Sequence, residues 1–131
     1  MKAILKLLII IGAAGLFGFK NKPPEYKRNE PFRGFMIDAP RTIESLEYYF
    51  RLIDFCKEEG LNSIIFRLTD DEGSAYYFKS HPELKTCLGA FTAQELKKLV
   101  KYADHKGIEM IPEVESFGHS RYISETDRYK F

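Results

Sequence analysis

The chain has 131 residues, 44% of them hydrophobic and 15% aromatic, which suffices for one domain with a packed core and excludes a disordered protein. Its 20 basic and 19 acidic residues give a formal net charge of +1. So small a charge provides no basic surface for nucleic acid or for an anionic membrane, and we expect neither as a partner.

Residues 1–19 have the pattern of a secretory signal peptide. Lys2 and Lys6 form a basic start, an apolar stretch follows, and polar residues begin at Lys20. The apolar stretch is shorter than the roughly 20 residues of a transmembrane helix, although an uncleaved anchor is an alternative. We therefore expect an exported protein, periplasmic or extracellular, whose cleaved form has 18 basic and 19 acidic residues.

A linker and the first strand and helix follow. Residues 20–31 are charged and contain Pro23-Pro24, which is typical of an exposed linker. A short apolar run ending at Asp38 predicts the first strand. After a turn, apolar residues recur at helical spacing as far as Gly60, and they predict the first helix. The apolar positions of this helix are Ile43, Leu46, Phe50, Ile53 and Cys56.

The second half of the pattern repeats the first. Residues 61–68 are apolar at consecutive positions, which predicts a second strand buried on both faces of a parallel sheet. The stretch 71–90 is longer than most connections and predicts a functional or disordered loop. Thr92 and Glu95 form a capping box that begins a second helix ending at Gly107, and residues 108–114 predict a third strand. The apolar face of the second helix consists of Leu96, Leu99, Val100 and Ala103.

This order of strand, helix, strand, helix, strand predicts an α/β fold with a parallel sheet. In such folds the site lies at the carboxyl ends of the strands, where the loops converge. The chain has charged side chains at all three predicted strand ends, which makes a site there our hypothesis. These residues are Asp38, Arg41, Asp70, Asp71, Glu113, Glu115 and His119.

Their chemistry favours a polyhydroxylated ligand. The planar guanidinium of Arg41 suits vicinal hydroxyls or a carboxylate, and clustered carboxylates accept hydrogen bonds from a sugar. The alternatives are that Asp70 and Asp71 belong to a solvated turn, and that Glu115 and His119 bind a metal. The metal pattern is weak without a helix bearing H-E-x-x-H or a cysteine pair. Cys56 and Cys87 could form a disulfide or remain separate thiols.

Four sequence blocks, in this order, resemble those of the family 20 glycoside hydrolases, the β-N-acetylhexosaminidases. The family forms are R-G-hydrophobic-D-x-x-R, W-H-L-T-D-D-x-G, S-x-P-x-L and P-E-hydrophobic-D-x-P-G-H. The corresponding blocks here are residues 32–41, 66–73, 80–84 and 111–119. Some positions depart from these forms, which suggests a divergent branch with a substrate other than ordinary chitobiose. These positions are Phe66 for tryptophan, Arg67 for histidine, Glu115 for aspartate and Phe117 for proline.

The resemblance implies roles for individual residues. Arg41 would hold hydroxyls of the terminal sugar, and Asp70 or Asp71 with His119 would belong to the polar network that supports the catalytic carboxylates. Glu115 occupies the place of an aspartate in that network. No metal or cofactor is implied, because in this family the acetamido group of the substrate attacks the anomeric carbon.

The resemblance also implies a fold, an activity and a missing part. Residues 32–131 would be the first three βα units of a (β/α)8 TIM barrel, the amino-terminal part of an enzyme that removes terminal N-acetylhexosamine from glycans. The catalytic aspartate and glutamate follow strand four in the family, so we expect them beyond Phe131 and expect this fragment alone to be inactive. The alternative is a non-catalytic carbohydrate-binding or assembly fragment.

Overall fold

The structure, a computed structural model, describes residues 30–130. The predicted signal peptide and the predicted linker as far as residue 29 lie outside the described residues. Within residues 30–130, no helix is both long enough and apolar enough to cross a bilayer. The helices and strands are β1 (Gly34–Asp38), α1 (Leu46–Glu58), β2 (Ser63–Arg67), β3 (Thr69–Asp70), β4 (Gly73–Tyr76), β5 (Thr86–Phe91), α2 (Ala93–Lys106), β6 (Glu109–Glu113) and α3 (Arg121–Ser124).

A parallel three-stranded sheet in the order β1, β2, β6 forms the centre of a mixed α/β fold. Helix α1 connects β1 to β2, and α2 precedes β6, so the predicted alternation of strands and helices is confirmed. The register places Asp38 opposite Arg67, and Arg67 opposite Glu113. Asp38, Arg67 and Glu113 are the last residues of their strands. Because they are paired in register and side chains alternate between the two faces, all three point to the same face of the sheet.

Helices α1 and α2 cover one face of this sheet. Ile64 and Phe66 of β2 are buried in a core formed with side chains of both helices. On the opposite face Met36, Ile65 and Ile111 share a row, in which Met36 is 45% exposed and Ile65 partly exposed. The prediction that the second strand is buried on both faces is therefore wrong for the described residues, where only the helix-facing side is fully covered.

The predicted ends of the second helix are confirmed. Thr92 accepts a hydrogen bond from the backbone of Glu95, and the Glu95 side chain accepts one from the Thr92 N–H. Gly107 ends α2 in the left-handed conformation, with φ of 76°. One predicted core position is wrong, because Val100 is 49% exposed while Leu99 and Ala103 are buried.

The predicted loop over residues 71–90 is only partly correct, since β4 and most of β5 lie within it and belong to a second three-stranded sheet. Strand β3 pairs with β4 in antiparallel orientation, and β4 pairs with β5 in parallel orientation. Phe91 ties this sheet to the main core through ring contacts with Tyr49 and Phe66 at 5.5 and 5.9 Å.

Cys56 and Cys87 are both free thiols, and burial raises the pKa of each.

Candidate functional site

The charged residues predicted at the strand ends lie together at the carboxyl edge of the parallel sheet. Their contacts form two groups, one around Arg67 at the end of β2 and one around Arg41 after β1. Asp38 at the end of β1 contacts both arginines. The described structure therefore gathers these side chains into one continuous polar network.

Arg67 contacts three carboxylates, one at the end of β1 and two at or just after the end of β6. Its Nη1 atom lies 3.2 Å from Asp38 Oδ2, and its Nε and Nη2 atoms each lie 3.4 Å from an oxygen of Glu113. Nη2 also lies 3.0 Å from Glu115 Oε1. The Arg67 side chain is only 16% exposed, so this cation is largely removed from water and screened less than a surface pair.

Arg41 lies at the mouth of the site, with its side chain 52% exposed. Its Nη2 atom donates a hydrogen bond of 3.0 Å to Asp70 Oδ2, and its Nε atom lies 3.2 Å from Asp38 Oδ2. Burial raises the pKa of Asp70, but the bonds from Arg41 and the Glu72 N–H, with the Arg41 charge, outweigh it and hold the pKa below its ordinary value. Asp70 is therefore an ionised carboxylate at neutral pH, and Arg41 keeps an exposed guanidinium.

His119 joins the Arg41 group through the aspartates. Its Nδ1 atom lies 3.2 Å from Asp71 Oδ2 and 3.6 Å from Asp70 Oδ2. The other oxygen of Asp71 accepts a hydrogen bond of 3.1 Å from the Arg121 N–H. His119 has a φ of 47°, an uncommon left-handed conformation for a residue with a side chain. These contacts hold the imidazole over the aspartates while leaving it 48% exposed.

Glu115 belongs to the Arg67 group rather than to the Arg41 group. Its N–H donates to Thr69 Oγ1 at 2.9 Å, and its carbonyl accepts a hydrogen bond from the Tyr122 hydroxyl at 3.0 Å. Burial raises the pKa of Tyr122, which keeps that hydroxyl protonated as a donor. The segment after β6 is thus fixed by its backbone, and the Glu115 carboxylate is directed to Arg67.

An open cleft of about 690 Å³ lies beside the Arg41 group. Arg41, Asp70, Asp71 and His119 line it on the polar side, and apolar atoms include those of the fully exposed Leu88. The mixture of hydrogen-bonding groups with apolar surface suits a ring that carries hydroxyls. Within residues 30–130, no three His, Cys, Asp or Glu side chains are grouped so as to hold a metal ion.

Sequence reasoning placed Arg41, Asp70, Asp71 and His119 at the strand ends, and the structure brings these four side chains together. The sequence pattern marks Arg67 only as a departure from a family form. The signal that could have found Arg67 is the two-residue period of a strand, which places its side chain on the same face as Ile65. In the parallel register Arg67 is paired with Asp38, so the two side chains lie next to each other. The contribution of β5 to the cleft was also missed, because no strand was predicted there.

Comparison with known proteins identifies the family. Residues 31–128 match the family model described as the catalytic domain of glycosyl hydrolase family 20. The chain therefore belongs to glycosyl hydrolase family 20.

Individual relatives agree with this family. A β-hexosaminidase of Vibrio furnissii is 33% identical over 112 residues, which cover 69% of this chain and 18% of that protein. A β-hexosaminidase of Akkermansia muciniphila is 29% identical over 111 residues, covering 74% of this chain and 22% of that protein. This chain thus spans only about a fifth of the length of these curated relatives.

Solved structures show the same mixed α/β arrangement. The chitobiase of Flavobacterium johnsoniae is 32% identical with a TM-score of 0.68, and the match covers 73% of this chain and 15% of that one. The exo-β-N-acetylglucosaminidase of Vibrio harveyi, solved with N-acetylglucosamine, is 29% identical with a TM-score of 0.64. That match covers 72% of this chain and 18% of the other.

Proposed function

We propose that this chain provides part of the sugar site of an exported β-N-acetylhexosaminidase, an enzyme that removes terminal N-acetylhexosamine from glycans. The observation that carries the proposal is the network of Arg41, Asp70, Asp71 and His119 beside an open cleft, in a chain that belongs to glycosyl hydrolase family 20. An exposed guanidinium fixed by two carboxylates can donate to adjacent sugar hydroxyls without losing its own orientation.

The fold that fits this function is the first three βα units of a (β/α)8 barrel. Within residues 30–130, three parallel strands lie side by side in chain order with α1 and α2 packed on one face, and this arrangement supports it. The other face presents the apolar row of Met36, Ile65 and Ile111 below the charged row of Asp38, Arg67 and Glu113. In a closed barrel such rows form interior layers, and the carboxyl ends of the strands surround the site.

We assign supporting roles, not the chemical step, to residues of this chain. Arg41 would hold sugar hydroxyls, and the Asp71 and His119 pair would orient a catalytic carboxylate. Glu115, directed to Arg67, would hold the segment after β6. The aspartate and glutamate of a substrate-assisted retaining mechanism would follow a fourth strand, so none of the residues of this chain is assigned to them.

The experiment on Arg41 tests the proposal. Arg41→Ala removes charge-assisted hydrogen bonds of about 1.5–3 kcal/mol, so we expect kcat/KM for an aryl N-acetyl-β-glucosaminide to fall about 10- to 100-fold. The assay uses the protein that carries this chain, and Arg41→Lys, which keeps the charge but not the planar fork, should give an intermediate loss. Unchanged kinetics in Arg41→Ala would refute the assignment.

A non-catalytic carbohydrate-binding fragment is the second candidate. It is favoured by the Arg41 group itself, which can bind hydroxyls while none of its members is assigned to the chemical step. The two candidates differ in one outcome. The enzyme hydrolyses an aryl N-acetyl-β-glucosaminide, whereas the binding fragment binds N-acetylglucosamine and hydrolyses no glycoside.

A further inference from the structure

Arg67 is a cation shared by three carboxylates that come from different parts of the chain. Asp38 ends β1, Glu113 ends β6, and Glu115 lies in the segment that follows β6. Without this guanidinium, three negative charges would face one another in a partly buried space, which is unfavourable. The arginine therefore offsets the repulsion among these three carboxylates.

One oxygen atom of Asp38 links Arg67 directly to Arg41 at the cleft. Asp38 Oδ2 lies 3.2 Å from Arg67 Nη1 and 3.2 Å from Arg41 Nε. The other oxygen, Asp38 Oδ1, is buried and has no hydrogen-bond partner among residues 30–130. The orientation of the Asp38 carboxylate in the described structure consequently depends on the two arginines that share Oδ2.

The sequence also departs from the family forms at both ends of the shortest Arg67 contact. Arg67 stands in place of a histidine and Glu115 in place of an aspartate, and their side chains meet at 3.0 Å. An arginine is longer than a histidine and can contact several carboxylates at once. The two residues that differ from the family forms are therefore partners in the same ion pair.

We propose that Arg67 is a positioning residue for the sugar site: it fixes Asp38, and through Asp38 Oδ2 it fixes the guanidinium of Arg41 at the mouth of the cleft. This inference rests on the proposed function only for the identity of the ligand. Its structural content, the dependence of Arg41 on Arg67, can be measured without any sugar.

The experiment compares Arg67→Lys with Arg128→Lys. Lysine keeps the positive charge but cannot reach three carboxylates with a planar fork. Arg128 contacts Glu83 at 3.2 Å outside the cleft, so its replacement controls for the loss of an arginine ion pair. The readouts are the NMR resonance of the Arg41 Nε–H, its exchange with water, and the affinity for N-acetylglucosamine.

We expect Arg67→Lys to shift the Arg41 Nε–H resonance, to speed its exchange, and to weaken N-acetylglucosamine binding about five- to tenfold. Arg128→Lys should change none of these. A purely structural Arg67 would lower the melting temperature without altering the Arg41 resonance, and that result would overturn the proposal. If the unchanged protein binds no N-acetylglucosamine, the proposed function fails, while the Arg41 resonance still tests the inference.

Glu115→Asp is the second variant, chosen in case Arg67→Lys does not fold. It keeps the charge and shortens the side chain by one methylene, which lengthens the contact to Arg67. Within residues 30–130 Glu115 has no hydrogen bond or ion pair with Arg41, and its N–H, which donates to Thr69, is unchanged by the substitution. The side-chain contact that Glu115→Asp alters is the one to Arg67. A shifted Arg41 resonance supports the proposal, and an unchanged one contradicts it.

Discussion

Asp70 is a carboxylate with 2% of its side chain exposed, placed where a charge would be costly without a partner. Arg41 and the Glu72 N–H provide hydrogen bonds of 3.0 and 3.3 Å to its two oxygens. These bonds outweigh the effect of burial and lower its pKa. Asp70 therefore ties the exposed arginine of the site to the buried end of the β2–β3 segment.

Acid should weaken the fold partly through Asp70. Its pKa in the folded chain lies below the unfolded value of about 3.9, so its ionisation stabilises the fold above that value, and this contribution is lost as the pH falls through the folded pKa. We expect Asp70→Asn to flatten the decrease in unfolding free energy between pH 6 and pH 2, measured by urea denaturation. Asp104→Asn, at an exposed position of α2, is the control. Equal slopes in wild type and Asp70→Asn would contradict this role.

Individual site residues could be predicted from sequence where a strand end was clear. Asp38, Arg41, Asp70 and Asp71 follow strong apolar runs, and their positions needed only the rule that sites lie at carboxyl ends. The role of Arg67 could not be predicted in this way, because it depends on the register that aligns Asp38, Arg67 and Glu113 across three strands. The functions of these residues stay predictions until the variants are measured.

Secondary structure was predictable where local signals and tertiary packing agree. The capping box at Thr92 and the glycine at 107 specify both ends of α2 by local hydrogen bonding and backbone conformation. The second sheet was missed because β3 has only two residues and β4 reads Gly-Ser-Ala-Tyr, which lacks the usual β-branched residues. Pairing with neighbours, not local propensity, creates these strands.

The contact between β1 and β2 depends on Gly34. A Cβ at this position would lie 2.0 Å from Ser63 O, an atom of the paired strand that cannot move without separating the strands. We expect Gly34→Ala to destabilise the fold by about 1–3 kcal/mol, measured by denaturant unfolding. Gly118→Ala is the matched control, because a Cβ there meets nothing within 4 Å. Equal stabilities of the two variants would show that the strands do not approach as described.

On the scale of the whole molecule, the described fold places an open cleft at the carboxyl edge of the parallel sheet. The helices cover one face of the parallel sheet, and the other face presents apolar side chains beneath the charged row. The family was identifiable from four sequence blocks, because those blocks contain the strand ends and the residues beside the cleft. The closed barrel and the catalytic step stay proposals, since the chain spans about a fifth of its curated relatives.

The central claim is that the Arg41 group binds a terminal N-acetylhexosamine. The most direct measurement is an NMR titration of the protein that carries this chain with N-acetylglucosamine. We expect saturable shifts confined to the cleft, at Arg41, Asp70, Asp71 and His119, and a loss of these shifts in Arg41→Ala. No shift at millimolar sugar, or shifts elsewhere that persist in Arg41→Ala, would contradict the claim.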